Sequence, residues 1–187
     1  MIEVNKMLVI IDMQNDFITG PLGTPEAQAI VPKIVDYINK NEFTHVYATR
    51  DTHFDDYSYT QEGKKLPVPH CMDGTEGHKL NDEIRKAMND NNAHRADICK
   101  YTFGSIELAQ VIRIYYEHEL FTTVYLCGVC TDICVISNAL LIKAYCPELE
   151  IKVLEDLCAG TTPERHENAL NVMRSCQIDV IRGSDDE

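Results

Sequence analysis

Met7-Leu8-Val9-Ile10-Ile11 is an unbroken apolar run that ends on a carboxylate, Asp12. A strand with one wet face alternates apolar and polar side chains; a strand covered on both faces does not, and double cover is the situation of a central strand in a parallel sheet. Further strand-like runs come at Thr44–Thr49, Ala96–Tyr101, Thr122–Cys127, Ile151–Leu154 and Ile178–Ile181. Between them lie segments of helical spacing. The first, Pro25–Lys40, sets Ile30, Ile34, Val35 and Ile38 on one face, and it is followed by Asn81–Asn91, Ile106–Glu119, Ile133–Ala144 and Pro163–Ser175. Thr162 caps the last of these and Pro163 starts it. This alternation predicts an α/β chain of three layers, α/β/α, around a mostly parallel sheet of six strands.

A chain of 187 residues has the size of one domain, expected over residues 1–182 with an acidic tail at 183–187. Its formal net charge of −13 repels nucleic acid and anionic membrane surfaces, so neither is expected as a partner. No stretch approaches the ~20 apolar residues of a membrane span, and Met7–Ile11 is too short and too soon interrupted to serve as a signal peptide. Eight cysteines without the close spacing of a secreted scaffold fit free thiols in a reducing compartment, and a cytoplasmic location is expected.

The chemistry concentrates in Gly128-Val129-Cys130-Thr131-Asp132-Ile133-Cys134-Val135, a turn between a strand and a helix. Thr131 or Asp132 is the expected N-cap, which places Cys134 in the first helical turn, where the dipole and free N–H groups favour a thiolate and lower the thiol's pKa. That makes Cys134 a candidate nucleophile, against the plainer role of a small packed hydrophobe. Cys127-x-x-Cys130 has the spacing of half a zinc knuckle or a redox pair, yet Cys127 falls inside the strand. Asp12 lies at the carboxyl end of its strand, the edge where open α/β sheets bind ligands. Asp51 and His53, two apart in an extended segment, point to the same side, and His70, from a proline-stiffened loop, completes a three-ligand set with open positions. Lys100, set among Ile98, Tyr101 and Phe103, is expected to be partly buried and to need an anionic partner.

Together these residues resemble the isochorismatase-like cysteine hydrolases, and most closely their nicotinamidase branch. The resemblance runs over nearly the whole chain. Ile11-Asp12-Met13-Gln14-Asn15-Asp16-Phe17 is similar to the family's opening segment, Lys100-Tyr101-Thr102-Phe103 to its lysine segment, Gly128–Val135 to its nucleophile turn and Asp156–Leu170 to its closing segment. It implies a sheet in Rossmann-like order. It also implies Cys134 as nucleophile, Asp12 as general base and then acid, Lys100 as the cation holding the pair, and a cis Val129–Cys130 peptide with the Cys130 and Cys134 N–H groups facing the oxyanion. Asp51, His53 and His70 match the branch's ligands for one divalent ion, zinc first and iron or manganese as alternatives. Glu62 takes a place that some members fill with Glu and others with His. Phe17 offers an aromatic wall for the substrate, whereas the branch's tryptophan before the metal histidine is replaced by Leu66-Pro67, and the chain has no tryptophan at all. The expected reaction is deamidation of nicotinamide or a close heteroaromatic carboxamide through a thioester. The alternatives are another small amide, such as a ureido or carbamoyl compound, or a metal- and thiol-based redox-responsive protein without turnover. A small-molecule amide and further copies of the chain, in a homo-oligomer, are the expected partners.

Overall fold

Residues 5–185 are described by the structure, a computed structural model. Strand and helix alternate as β1 (Lys6–Ile11), α1 (Asn15–Ile18), α2 (Pro25–Lys40), β2 (His45–Asp51), α3 (Gln61–Lys65), α4 (Asp82–Asp90), β3 (His94–Lys100), α5 (Ile106–Glu117), β4 (Thr123–Val129), α6 (Ile136–Tyr145), β5 (Glu150–Ala159), α7 (Pro163–Ser175) and β6 (Asp179–Ile181). The sheet order is β3-β2-β1-β4-β5-β6, and every pairing is parallel. This is the doubly wound arrangement expected from the sequence. Helices α2 and α4 pack on each other, as do α5, α6 and α7.

The order reverses at β1. The chain first builds outward through β2 and β3, then returns to lay β4 along the other side of β1, pairing Ile11 with Gly128. The loops leaving β1 and β4 therefore diverge and open a crevice at the carboxyl ends of the strands. Gly128, at φ +115, is the residue that lets β4 come this close: a Cβ there would collide with the Ile11 carbonyl oxygen. Met7, Leu8, Val9, Ile10 and Ile11 are all fully buried, as their unbroken apolar run requires. No helix among the described residues is long and apolar enough to cross a membrane.

Four local features differ from the sequence pattern. Helices α1 and α3, of four and five residues, are too short to show a 3.6-residue period. Strand β5 runs on through Glu155 and Asp156 to Ala159, because a shift of register opposite Leu126–Gly128 lets it follow β4 to its end. Neither Thr131 nor Asp132 caps the helix after β4. The Thr131 hydroxyl lies 2.8 Å from His166 Nδ1, and the Asp132 carboxylate accepts from the Thr161 N–H at 2.7 Å and hydroxyl at 2.5 Å. Thr131–Val135 instead forms a π-helical turn and α6 starts at Ile136. At the end of the chain, Gly183–Asp185 forms a single 3₁₀ turn whose Gly183 N–H donates to Asp156; Asp186 and Glu187 lie outside the described residues.

Candidate active site

Three strand ends deliver three side chains to one point. Asp12 follows β1, Lys100 closes β3 and Cys134 sits in the π turn after β4. Lys100 Nζ stands 2.7 Å from Asp12 Oδ2, 3.1 Å from Asp51 Oδ1 and 3.3 Å from Cys134 Sγ. All four side chains are buried. Asp12 has φ 48, an uncommon conformation for a residue with a side chain. Its N–H donates to the Thr49 hydroxyl at 3.1 Å, and its carbonyl accepts from the Gln14 N–H at 2.7 Å. The Val129–Cys130 peptide is cis.

The charge count corrects the expectation of an acidic Cys134. Burial raises the thiol well above its ordinary value, the neighbouring Asp12 raises it further, and Lys100 offsets only part of this. Burial also raises Asp12, against the opposing pull of Lys100. Burial alone would lower Lys100, but Asp12, Cys134 and Asp51 hold it above its usual range, so it stays an ammonium. For Asp51 the upward push of burial loses to hydrogen bonds from His53 and His70 and to the charge of Lys100, and the group is a carboxylate. Two carboxylates around one ammonium leave no favourable place for a third negative charge. The thiol therefore rests protonated, beside a carboxylate able to take its proton.

Asp51, His53, Glu62 and His70 form a second cluster, with one ligand atom from each lying within 4.8 Å of all the others. His53 Nε2 is 2.9 Å and His70 Nε2 3.5 Å from Asp51 Oδ2, and both are 3.7 Å from Glu62 Oε1. His70 Nδ1 donates to the Val68 carbonyl at 2.8 Å. A carbonyl can only accept, so that nitrogen carries a proton and Nε2 is the atom turned to the cluster, donating to Asp51 when the ring is charged and free to ligate an ion when the ring is neutral. Two imidazoles, two carboxylates and a fixed tautomer fit a divalent ion of the zinc, iron or manganese kind. Glu62, on α3, joins the three residues that spacing singled out. Asp51 belongs to both clusters, through Oδ1 to Lys100 and Oδ2 to the histidines.

Both clusters face one cavity of about 420 Å³, within the roughly 300–1,000 Å³ of small-molecule sites. Cys130, Cys134, Asp51, Glu62 and His70 contribute to its wall, and Phe17, Leu22, Leu66, Phe103 and Ile133 make the rest largely apolar. Phe17 meets His70 edge-on at 5.4 Å. Leu66 thus lines the cavity, in the stretch where a tryptophan is absent.

Residues 6–185 match the Isochorismatase domain family. The chain belongs to the isochorismatase family. Its relatives include the nicotinamidase/pyrazinamidase of Mycobacterium tuberculosis, 28% identical over 96% of this chain and 100% of that one. Among solved structures, a nicotinamidase from Bacillus subtilis superposes with a TM-score of 0.78 at 28% identity, covering 96% of this chain and 100% of that one. The pyrazinamidase of Pyrococcus horikoshii, solved in complex with zinc, gives 0.71 at 28% identity, over 95% and 99% of the two chains.

In this isochorismatase-family chain several buried or half-buried polar residues tie the site together without having been singled out by their spacing. The Gln14 side chain donates to the Asp51 and His78 carbonyls at 2.9 Å each and accepts from the Asp51 N–H at 2.7 Å. Asp16 accepts from the Cys71 N–H at 2.7 Å and so holds the residue next to His70. Asn138 accepts from the Ser105 N–H at 2.9 Å and donates to the carbonyls of Cys134 at 2.8 Å and Phe103 at 3.2 Å. Gln14 and Asp16 stood in the opening motif, whereas Thr49 reaches Asp12 across 37 residues and Asn138, which also holds Cys134, reaches Ser105 across 33, beyond any local pattern.

Proposed function

We propose that this protein hydrolyses the carboxamide of nicotinamide, or of a close heteroaromatic amide, to the acid and ammonia through a thioester on Cys134. The observation that carries the reading is the convergence of Asp12 and Lys100 on Cys134, which lines a mostly apolar cavity together with Asp51, Glu62 and His70 of the candidate metal-binding set. The names of the relatives, nicotinamidase and pyrazinamidase, support it.

The chain's own groups carry the covalent step and the proton transfers of the acyl chemistry. Asp12 takes the thiol proton as sulfur attacks the carbonyl carbon, so no free thiolate need accumulate beside two carboxylates. The N–H groups of Cys130 and Cys134 would face the oxyanion, a donor of this kind being worth about 2.7–4 kcal/mol in other acyl-transfer sites. Asp12 then returns the proton to nitrogen and ammonia leaves; a water that gives its proton to Asp12 attacks the thioester carbon, the C–S bond breaks, the acid departs and the sulfur takes the proton back from Asp12. Lys100 holds the carboxylate in place throughout. Asp51, His53, His70 and Glu62 would hold one divalent ion, zinc foremost, with iron or manganese alternatives. When bound, that ion supplies a Lewis acid for a ring nitrogen of the substrate. Phe17 and Leu66 would flank the ring.

Ammonia release from a panel of nicotinamide, pyrazinamide, an aliphatic amide and a carbamoyl compound, with and without chelator, tests this reading. Nicotinamide and pyrazinamide are expected to react fastest, and chelation to abolish their turnover. Preference for the carbamoyl compound would move the assignment to another amide, and no release from any member would favour a metal- and thiol-binding protein without turnover.

A further inference from the structure

Thr49, fully buried on β2, makes two hydrogen bonds to Asp12: its hydroxyl accepts from the Asp12 N–H at 3.1 Å and donates to Asp12 Oδ1 at 2.7 Å. The direction of the second bond follows from the first. A backbone N–H can only donate, so the lone pair of the hydroxyl is used there and its single proton is committed to Oδ1. Oδ1 is thereby held as an acceptor. Oδ2 is different: its partner is the Lys100 ammonium at 2.7 Å, the same group that lies 3.3 Å from Cys134 Sγ. The carboxylate thus has one oxygen held by a hydroxyl and one turned to the ammonium that also meets the thiol.

We propose that Thr49 is a positioning residue for the hydrolysis, assigning Oδ2 of Asp12 as the oxygen that receives the thiol proton and returns it to the departing nitrogen. This rests on the reading of Asp12 as the proton carrier. In the first step the S–H bond breaks, its proton goes to Oδ2, the sulfur pair forms the S–C bond and the carbonyl π pair moves to oxygen. On collapse that pair re-forms the carbonyl, the C–N bond breaks, and the nitrogen takes the proton from Oδ2 and leaves as ammonia. Without the Thr49 hydroxyl Oδ1 would lose its donor, the carboxylate could rotate about its ion pair with Lys100, and the proton could settle on the oxygen turned away from the reacting atoms. The same hydroxyl anchors the backbone of Asp12 in its left-handed conformation, so side chain and main chain are fixed by one group.

Thr49→Val keeps the shape of the side chain and removes the hydroxyl, and Thr49→Ser keeps the hydroxyl. The Val variant is expected to lose about 100-fold in kcat, the low end for general acid–base catalysis, with KM unchanged. The charged groups facing Asp12 are Lys100 from β3, Asp51 from β2, and, when ionised, Cys130 and Cys134 from the π-turn region and Cys71 after His70. None of them changes in these variants. Loss of a donor to the carboxylate favours its neutral form, so the acid limb of the kcat/KM profile moves to higher pH, and Ser restores both profile and rate. Alkylation of Cys134 by iodoacetamide, read by peptide mass, uses the same proton acceptor and no amide. Its acid limb is expected to move the same way, which tests Thr49 even if no carboxamide is turned over. Should Thr49→Val fail to fold, Thr49→Cys, with a weaker donor, is expected to give a smaller shift in the same direction. Unmoved acid limbs in a folded Val or Cys variant, or a Ser variant as impaired as Val, overturn the assignment.

Discussion

Lys100 shows how much one buried charge decides. An unpaired ammonium in a protein interior costs several kcal/mol, yet this one is 2% exposed. Asp12 at 2.7 Å and Asp51 at 3.1 Å compensate it, and in doing so they tie the thiol site to the metal-binding set. The ammonium lowers both Asp12 and Cys134, opposing burial. In Lys100→Ala that opposition is gone, while Asp12 and Asp51 still raise the thiol. The rate of Cys134 alkylation against pH is therefore expected to shift to higher pH, and amide turnover to fall by orders of magnitude. Lys100→Arg restores the charge but brings a planar fork in place of a point donor, and turnover is expected to stay low. An alkylation profile unchanged in Lys100→Ala would place the lysine outside the chemistry and leave the helix terminus as the activator of the thiol. The thiol itself marks a limit of sequence reading: position in a helical turn argues for acidity, but burial and the nearby carboxylates, which come from β1 and β2, reverse the sign.

At the scale of elements, the strands were legible wherever an apolar run was continuous. β1 differs from its expected span by a residue at each end, and α2 and α7 have the expected limits because Thr24 and Thr162 cap them through the Ala27 and Arg165 N–H groups and proline opens each. Polar positions were not legible in the same way. Glu155 and Asp156 lie beyond the expected strand Ile151–Leu154 and are strand, since β5 needs only a partner strand to continue. Asp12, Lys100 and Cys134 could be named from motifs, but the buried ties that bring their elements together could not, because each partner lies far along the chain. Asn138 is the clearest tie, joining the Cys134 turn to the loop between β3 and α5. Asn138→Ala leaves a buried N–H and two carbonyls without that partner and is expected to cost about 1–3 kcal/mol, read as a lower denaturation midpoint. Turnover is expected to fall as well, since the thiol and Lys100 lose their shared support. A variant with wild-type stability and turnover would show that this strap does not position the site.

For the whole molecule, the decisive feature is the switch point beside β1. Strand order places the end of β1 between the β2–β3 half, which carries Asp51 and Lys100, and β4, which leads into the Cys134 turn, so the site exists only when both halves of the sheet are assembled. The α/β class and the parallel order follow from alternation of strand and helix, whereas the cavity's shape depends on Leu22, Leu66 and Phe103, whose meeting no spacing announces. The proposed chemistry of this assembly is acyl transfer from an amide to Cys134, with Cys130 serving through its backbone alone. Ammonia release from nicotinamide by wild type, Cys130→Ala and Cys134→Ala, each loaded with zinc, tests it most directly. Turnover is expected from the wild type, much of it retained in Cys130→Ala, and none in Cys134→Ala. Turnover persisting in Cys134→Ala while Cys130→Ala is inactive would contradict it.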